Sequence, residues 1–384
     1  MFAILRNEKV RGILYQAIVI FAFILFAYFV AKNTVHNIEI RGIKSGFDFL
    51  NSTAGFDITE TPIPFTPKST YWDVFKVGLL NTLIISFVGI ILSTILGLII
   101  GIARLSSNWL INRLAAAYIE TFRNIPVLLQ ILFWYNVVLA TLPSTRQSIS
   151  FFDKLFINNR GLFFPKPIFE TGCWLIGAGF IAALIGGWWI HRWARKRHEE
   201  TGEDFPVFWT GLGLVIALPL LGYFVSGQPM HFDYPAFKGF NFHGGKVVTP
   251  EFLALLFALT IYSATFIAEA VRSGIEAVAK GQKEAATALG LTPTQSLRFV
   301  VLPQAIRIAI PPIINQYLNL TKNSSLAAAV GYPELVTIFS GTSLNQTGQA
   351  LEIIVITMLT YLVISLLVSA ILNWFNAKMK IKER

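Results

Sequence analysis

The sequence predicts an all-α integral membrane protein with about eight transmembrane helices and both termini cytoplasmic. Three observations carry this. The 384 residues are 54% hydrophobic and only 14% charged, with mean hydropathy +0.60, whereas soluble domains carry about a quarter charged residues. Several apolar runs reach the length of about 20 helical residues that crosses a hydrocarbon core about 30 Å thick. Lys and Arg are concentrated in alternate loops, which fixes an orientation. The net charge of +10 therefore reads as cytoplasmic anchoring of a membrane protein, not as a nucleic-acid surface. The single cysteine, Cys173, lies in an apolar run, so no intrachain disulfide forms, and five scattered His give no metal-ligand cluster.

The predicted spans are 12–31, 77–103, 116–142, 172–190, 206–226, 251–271, 304–327 and 352–375. The basic N-terminus before the first span imitates a secretory signal. The run is longer than a usual signal core, however, and no small-x-small site follows, so it reads as a retained span. VGLLNTLIISFVGIILSTILGLIIGIA (77–103) carries no charge. Its Gly97 and Gly101 have the spacing that lets two membrane helices approach closely. With the N-terminus inside, the inner segments 1–11, 104–115, 191–205, 272–303 and 376–384 hold 17 Lys and Arg, against 11 in the longer outer segments 32–76, 143–171, 227–250 and 328–351. The patch HRWARKRH (191–198) reads as a topology anchor in preference to a lipid or nucleotide site. The outer loops, rich in Pro, Gly, Asn and aromatics, are expected to form irregular, partly packed caps.

This divides the chain into an N-terminal span with its outer loop (1–76), a first block of core helices (77–140), an insertion with two extra spans (141–250), and a second core block (251–384) that carries a cytoplasmic hairpin at 281–303.

Polar residues inside spans mark candidate sites. In QAIRIAIPPIINQYLNLTKNSSLAAAV, Pro311 and Pro312 remove two backbone donors and are expected to kink or break the helix. Beyond them Asn315, Asn319, Lys322 and Asn323 follow i, i+4, i+7, i+8, one helical face, and Asn315 and Gln316 fall near mid-membrane. Interhelical hydrogen bonding and a snorkelling Lys322 would explain them structurally; a water-lined pathway explains the whole stripe better, because polar groups at membrane depth usually face a cavity. Glu269 and Arg272 form a candidate gate, with a local i,i+3 ion pair as the plainer reading. YIETFRNIP (118–126) reads as an amphipathic entry helix, Glu120 and Arg123 at i,i+3, bending before Pro126 into the third span.

Catalytic classes are excluded on content. No nucleophile, base and orienter group together, no chain of acids threads the spans, and no channel filter sequence occurs. HGGKVV (243–248) lacks the glycine and the Ser/Thr of a nucleotide-binding P-loop.

One polar interruption remains. In EAATALGLTPTQSLRFVVLP (284–303), the Ala-rich run to Leu289 is strongly helix-forming. Gly290 suits the left-handed residue that closes a helix. Thr292 caps a second helix with Pro293 at its first position and Gln295 completing a capping box, and Pro303 is expected to end it. Ala285, Ala288 and Leu289 offer a small apolar side that fits a partner's groove, or that packs on the chain's own membrane domain.

The pattern Glu284-Ala285-Ala286, Gly290, Val300, Leu302-Pro303 resembles the EAA signature of ABC importer permeases, with Val300 where Ile is usual. The strings GQKEAATALGLTPTQSLRFVVLPQAIRIAIPPIINQYLNLTKNSSLAAAVGYPEL (281–335), GLLNTLIISFVGIILSTILGLIIGIARLS (78–106), YIETFRNIPVLLQILFWY (118–135) and TGQALEI (347–353) resemble the polar amino acid permease family. The N-terminal span and the 141–250 insertion resemble the larger permeases of general L-amino-acid uptake systems. The resemblance implies a type I ABC importer transmembrane domain in the bacterial inner membrane, with a five-helix core. The hairpin becomes a coupling helix docked on a separate ATPase, in which Glu284 supplies a polar contact and Gly290 the turn. It implies two ATPase subunits per complex, which hold ATP and Mg while this chain binds no cofactor. It also implies a second permease, identical or a related paralogue, and a periplasmic amino-acid-binding protein. The stripe Asn315, Gln316, Asn319, Lys322 and Asn323 would then line the substrate pathway, with Lys322 facing a carboxylate. A stand-alone secondary amino acid transporter is the rival reading, distinguished by gradient-driven transport without an ATPase. A membrane scaffold would fit the insertion but not the polar span.

Overall fold

The computed structural model describes residues 8–40, 42, 45–227 and 230–379; the predicted inner termini fall partly outside these, at 1–7 and 380–384. Twelve α-helices occur among the described residues: α1 (Glu8–Ile40), α2 (Tyr71–Arg104), α3 (Trp109–Asn124), α4 (Val127–Phe133), α5 (Trp174–Thr201), α6 (Val207–Val225), α7 (Pro250–Glu276), α8 (Lys280–Ala288), α9 (Pro293–Ser296), α10 (Leu302–Asn323), α11 (Leu344–Thr347) and α12 (Ala350–Met379). Seven stretches are long and apolar enough to cross a membrane, and an eighth is a pair bent by 100°.

That pair replaces the single span that hydropathy placed at 116–142, and its bend falls where YIETFRNIP was expected to turn, before Pro126. Helix α3 stops at Asn124, and Ile125 is extended at φ −91°, ψ 125°, because the ring of Pro126 crowds the α conformation of the residue before it. Gln130 then heals the break. It is buried, and its Nε2 donates to the Phe122 and Ile125 carbonyls at 2.9 and 3.0 Å, which the interrupted helix leaves unpaired.

Of the kink or break expected at Pro311–Pro312, the break is absent. Helix α10 runs through both prolines. Both rings lie on its exposed face, where the backbone can bow outward at the loss of two hydrogen bonds. The irregular turns flank α10 instead: a π turn at Leu297–Val301 before it and a 3₁₀ stretch at Ser324–Ala329 after it.

The chain clusters into two compact units, 1–134 with 254–384, and 135–253. The first holds the core bundle. Its helix pairs are set by glycines. A Cβ on Gly97 would lie 2.7 Å from the Ile267 Cβ, and one on Gly101 would lie 2.9 Å from the Ala268 carbonyl. The predicted close approach is thus α2 against α7, the two running parallel. The side of α2 nearer its start meets α10 in the opposite sense, Gly89 against Leu320 and Thr94 Oγ1 2.8 Å from Tyr317 Oη. At the Tyr71 end the 45–70 segment packs Phe49, Ala54 and Ile58 against Val74, Phe75, Phe339 and Ile353. This is a packed irregular cap, as expected. The start of α2 is pinned by a Thr70–Asp73 capping box. No residue of the apolar stretch Val10–Asn37 in α1 is buried.

The second unit departs from the purely irregular loops expected at 143–171 and 227–250. Strands β1 (Ile149–Phe151), β2 (Leu155–Asn158), β3 (Gly161–Phe164) and β8 (Lys246–Val248) form one antiparallel sheet; β4 (Lys166–Phe169) pairs β5 (Met230–Asp233), and β6 (Ala236–Lys238) pairs β7 (Asn241–His243). Phe242 anchors a small aromatic core, its ring centroid 4.7 Å from Phe156 and 4.8 Å from Phe163. Helices α5 and α6 close tightly where Gly179 meets the Leu218 carbonyl and Gly222 that of Leu175, contacts that only a side chain of hydrogen permits.

Candidate functional site

The hairpin forms from its own sequence. Helix α8 ends in a Schellman motif. Leu291 N donates to Ala286 O at 3.1 Å, and Gly290 N donates to Thr287 O at 2.9 Å, with Gly290 at φ +75°, which a Cβ would strain. The predicted capping box is present, Gln295 N reaching Thr292 Oγ1 at 3.3 Å and Thr292 N reaching Gln295 Oε1 at 2.9 Å. Pro303 does not end the second arm. The single turn α9 passes through the π turn into α10, in which Pro303 occupies an initial position. The Leu302 amide already bonds five residues back, to Leu297, so the ladder is open where Pro303 lacks its donor.

Of the predicted coupling residues, Glu284, Ala285, Gly290 and Pro303 are exposed, Leu302 is half-buried and Ala286 is buried. The hairpin therefore turns Ala286 inward, along with Ser296 and Val301. Its exposed face comprises Glu284, Ala285, Ala288 and a Leu289 that is 81% exposed.

The polar stripe also divides. Asn315, Asn319 and Lys322 are exposed and Asn323 is half-buried. Gln316 is buried against the bundle, and its Nε2 has no hydrogen-bond partner among the described residues. Three polar side chains one and two turns apart thus leave the bundle's own packing on one face.

The predicted gate pair is an ion pair: Arg272 Nε donates to Glu269 Oε2 at 3.2 Å, and the same guanidinium also binds Glu276. Glu269 and Arg272 line a cleft of about 440 Å³ together with Arg104, Glu120, Arg123 and Asn124, over a floor of Ala116 and Ile119. Arg104 is the last residue of α2, and α7 ends four residues after Arg272. The cleft therefore lies at the end of the core from which α7 leads into the hairpin.

One residue that the motifs did not single out is Glu334. It sits in the turn between α10 and α12 and is fully buried. It accepts hydrogen bonds from Val336 N at 3.0 Å, Thr337 N at 2.8 Å, Thr337 Oγ1 at 3.0 Å and Tyr361 Oη at 2.9 Å. Thr82 Oγ1 lies 3.4 Å from it and also receives Leu335 N. Asn81 adds a bond to the Pro333 carbonyl at 2.8 Å. The turn is thus bolted to α2 and α12. No cation pairs with Glu334 among the described residues, and burial raises its carboxyl pKa above the ordinary range.

Residues 176–381 match the family model described as the inner membrane component of binding-protein-dependent transport systems. The chain is 51% identical over 378 residues to the general L-amino acid transport system permease protein AapQ of Rhizobium johnstonii, covering 98% of this chain and 94% of that one. YhdX of Escherichia coli is 47% identical over 378 residues, 98% and 96% of the two chains. The glutamate/glutamine/aspartate/asparagine transport system permease protein BztB of Rhodobacter capsulatus is 39% identical over 409 aligned positions, 98% and 96% of the two. The chain belongs to the family of inner membrane components of binding-protein-dependent transport systems, as a multi-span permease of the bacterial inner membrane and a transport component, not an enzyme.

Proposed function

We propose that the chain is the permease half of an ATP-driven amino acid importer, coupled through residues 281–303 to a separate ATPase. One observation carries the coupling. The hairpin is locked by its own Schellman motif and capping box, yet its Glu284, Ala285, Ala288 and Leu289 face is left uncovered by the chain. A rigid helix with a small apolar side transmits displacement to a docked partner, which a mobile loop would not. ATP and Mg belong to that partner, two copies per complex. A second permease, identical or a related paralogue, completes the pathway, and an external binding protein delivers substrate. ATP-driven closure of the ATPases moves the paired hairpins together and turns the cavity outward. The amino acid class is inherited from the relatives' names and from a polar stripe suited to a substrate with an α-carboxylate and α-ammonium.

Copurification tests the coupling. An ATPase subunit should come down with the intact chain. Glu284→Ala should weaken that association about tenfold, the value of one charge-assisted hydrogen bond of about 1.4 kcal/mol. Gradient-driven transport by the chain alone in vesicles would overturn the reading.

The stripe is tested separately. In the assembled complex, Asn319→Leu and Lys322→Met should each lower binding-protein-dependent uptake and substrate-stimulated ATP hydrolysis by about tenfold, since each leaves a polar group of the substrate unmatched in a desolvated path. Unchanged values for both would remove the stripe from the pathway.

A further inference from the structure

The lining of the cleft at the hairpin end of the core shares no residue with the exposed hairpin face or with the stripe. Gly274 packs on Ala305 and Ala309, which sets Arg272 about level with Ala309. Asn319 lies ten residues farther along α10, or about 15 Å at the helical rise.

The lining charges are unequally satisfied. Arg272 is neutralised by Glu269 and Glu276. Arg104 donates from Nη1 to Asn112 Oδ1, and Arg123 stacks over the Phe266 ring, 5.1 Å from its centroid. Neither guanidinium forms a carboxylate pair among the described residues, although both act electrostatically on Glu269. Glu120 lines the same cleft, exposed and likewise without an ion pair among the described residues. Two guanidinium groups thus lack a carboxylate and one carboxylate lacks a cation, around a volume of about 440 Å³, within the range of about 300–1,000 Å³ typical of small-molecule sites. A simple anion would meet Glu120 and Glu269, and a simple cation would meet three arginines. A small zwitterion satisfies both signs.

We infer that this cleft is a release site for the transported amino acid on the hairpin side of the membrane, with Arg104 and Arg123 receiving the α-carboxylate and Glu120 the α-ammonium. The inference rests on the transport reading above. Arg272, held by two carboxylates, positions Glu269 and does not bind the ligand. Bidentate guanidinium–carboxylate pairing gives such a site orientation. Its partly hydrated charges keep affinity low, as release requires.

The test uses the assembled complex with Cys173→Ser and a reporter Asn124→Cys on the cleft wall. The rate of thiol labelling is measured with L-glutamine and L-glutamate as probes. At ten times its dissociation constant a bound probe should slow labelling about tenfold. N-acetyl-L-glutamine and L-glutamine α-amide, each missing one charge, should give little protection. Arg123→Gln and Glu120→Gln should each abolish protection, taken as the ratio of labelling rates without and with probe in the same variant because a neighbouring charge also tunes the thiol, while ATPase copurification stays as it was. Equal protection by the blocked analogues, or by glycerophosphoglycerol as a lipid headgroup, overturns the assignment, as does protection retained in both variants. ATP-driven uptake of the same probes is measured on the same preparation. Uptake without protection overturns the cleft alone, whereas protection without uptake overturns the transport reading.

Discussion

Glu334→Leu should lower the stability of the permease by about 3–5 kcal/mol, the cost of removing the acceptor from a buried polar network. Leucine matches the volume but strands the Thr337 and Val336 amides and the Tyr361 hydroxyl, all of which now end on this carboxylate. It also loosens the turn on α2, because Thr82 loses one of its two links to residues 334 and 335 and only the Leu335 amide and the Asn81–Pro333 bond remain. Glu334→Gln keeps one acceptor oxygen and should cost less, about 1–3 kcal/mol. The two variants also differ in pH response. Burial raises the Glu334 carboxyl pKa, so the native state holds this proton more tightly than the unfolded chain. Its stabilising contribution is therefore complete below the ordinary carboxylate range and is lost as pH rises through the raised value. Unfolding midpoints of the purified complex, followed by tryptophan fluorescence from acid to neutral pH, should fall with rising pH for the native chain. They should flatten in Glu334→Gln. A slope unchanged in that variant would assign the pH dependence to another group.

Glu334 also shows why part of the site was illegible in the sequence. A lone acid in an outer segment looks solvated. Its burial arises only when Asn81 and Thr82 of α2 and Tyr361 of α12, residues far away in the chain, close around it. The hairpin was legible for the opposite reason: its Gly290 turn and its Thr292–Gln295 box are bonds between near neighbours, so local chemistry suffices. Spans were legible from composition, since a run of apolar residues needs no partner to declare itself. Where a span depended on context, hydropathy and propensity alone were not enough. The bend before Pro126 was legible in YIETFRNIP, because the constraint that a proline places on its predecessor is local, although hydropathy alone ran one span through 116–142. Pro311 and Pro312, on an exposed face, left unbroken a helix that propensity would kink or divide. The short strands of 149–248 escaped because three- and four-residue segments carry too little alternation to register, and a few aromatic contacts around Phe242 hold them. The polar cleft was only half legible. Glu269–Arg272 and Glu120–Arg123 were both visible as i,i+3 pairs, but nothing local indicates that they share one cavity, nor that Arg123 leaves Glu120 for Phe266.

The close packing of α2 on α7 gives the other large effect. Gly97→Val should destabilise the bundle by about 1–3 kcal/mol, and a Gly97→Val, Gly101→Val double variant by more, because overpacked helices must separate. The neighbours that a new side chain meets are the Ile267 Cβ and the Ala264 and Ala268 carbonyls, atoms fixed to the α7 backbone that cannot rotate aside. In lipid no hydrophobic term draws the helices back together, so the van der Waals packing forfeited when they part is not recovered elsewhere. Gly187→Ala in α5 is the matched control. A Cβ there meets nothing within 4 Å, and alanine favours the helix by up to about 1 kcal/mol, so its midpoint should hold or rise. The double variant also reaches the cleft. Arg104 stands at the end of α2 and Arg272 near the end of α7. Prising these helices apart at Gly101, three residues before Arg104, must widen the space between the guanidinium groups. Labelling at Asn124→Cys should then quicken in the double variant even without any amino acid present. Unfolding at the native midpoint together with unchanged labelling would mean that α2 and α7 are held together by something other than this glycine pair.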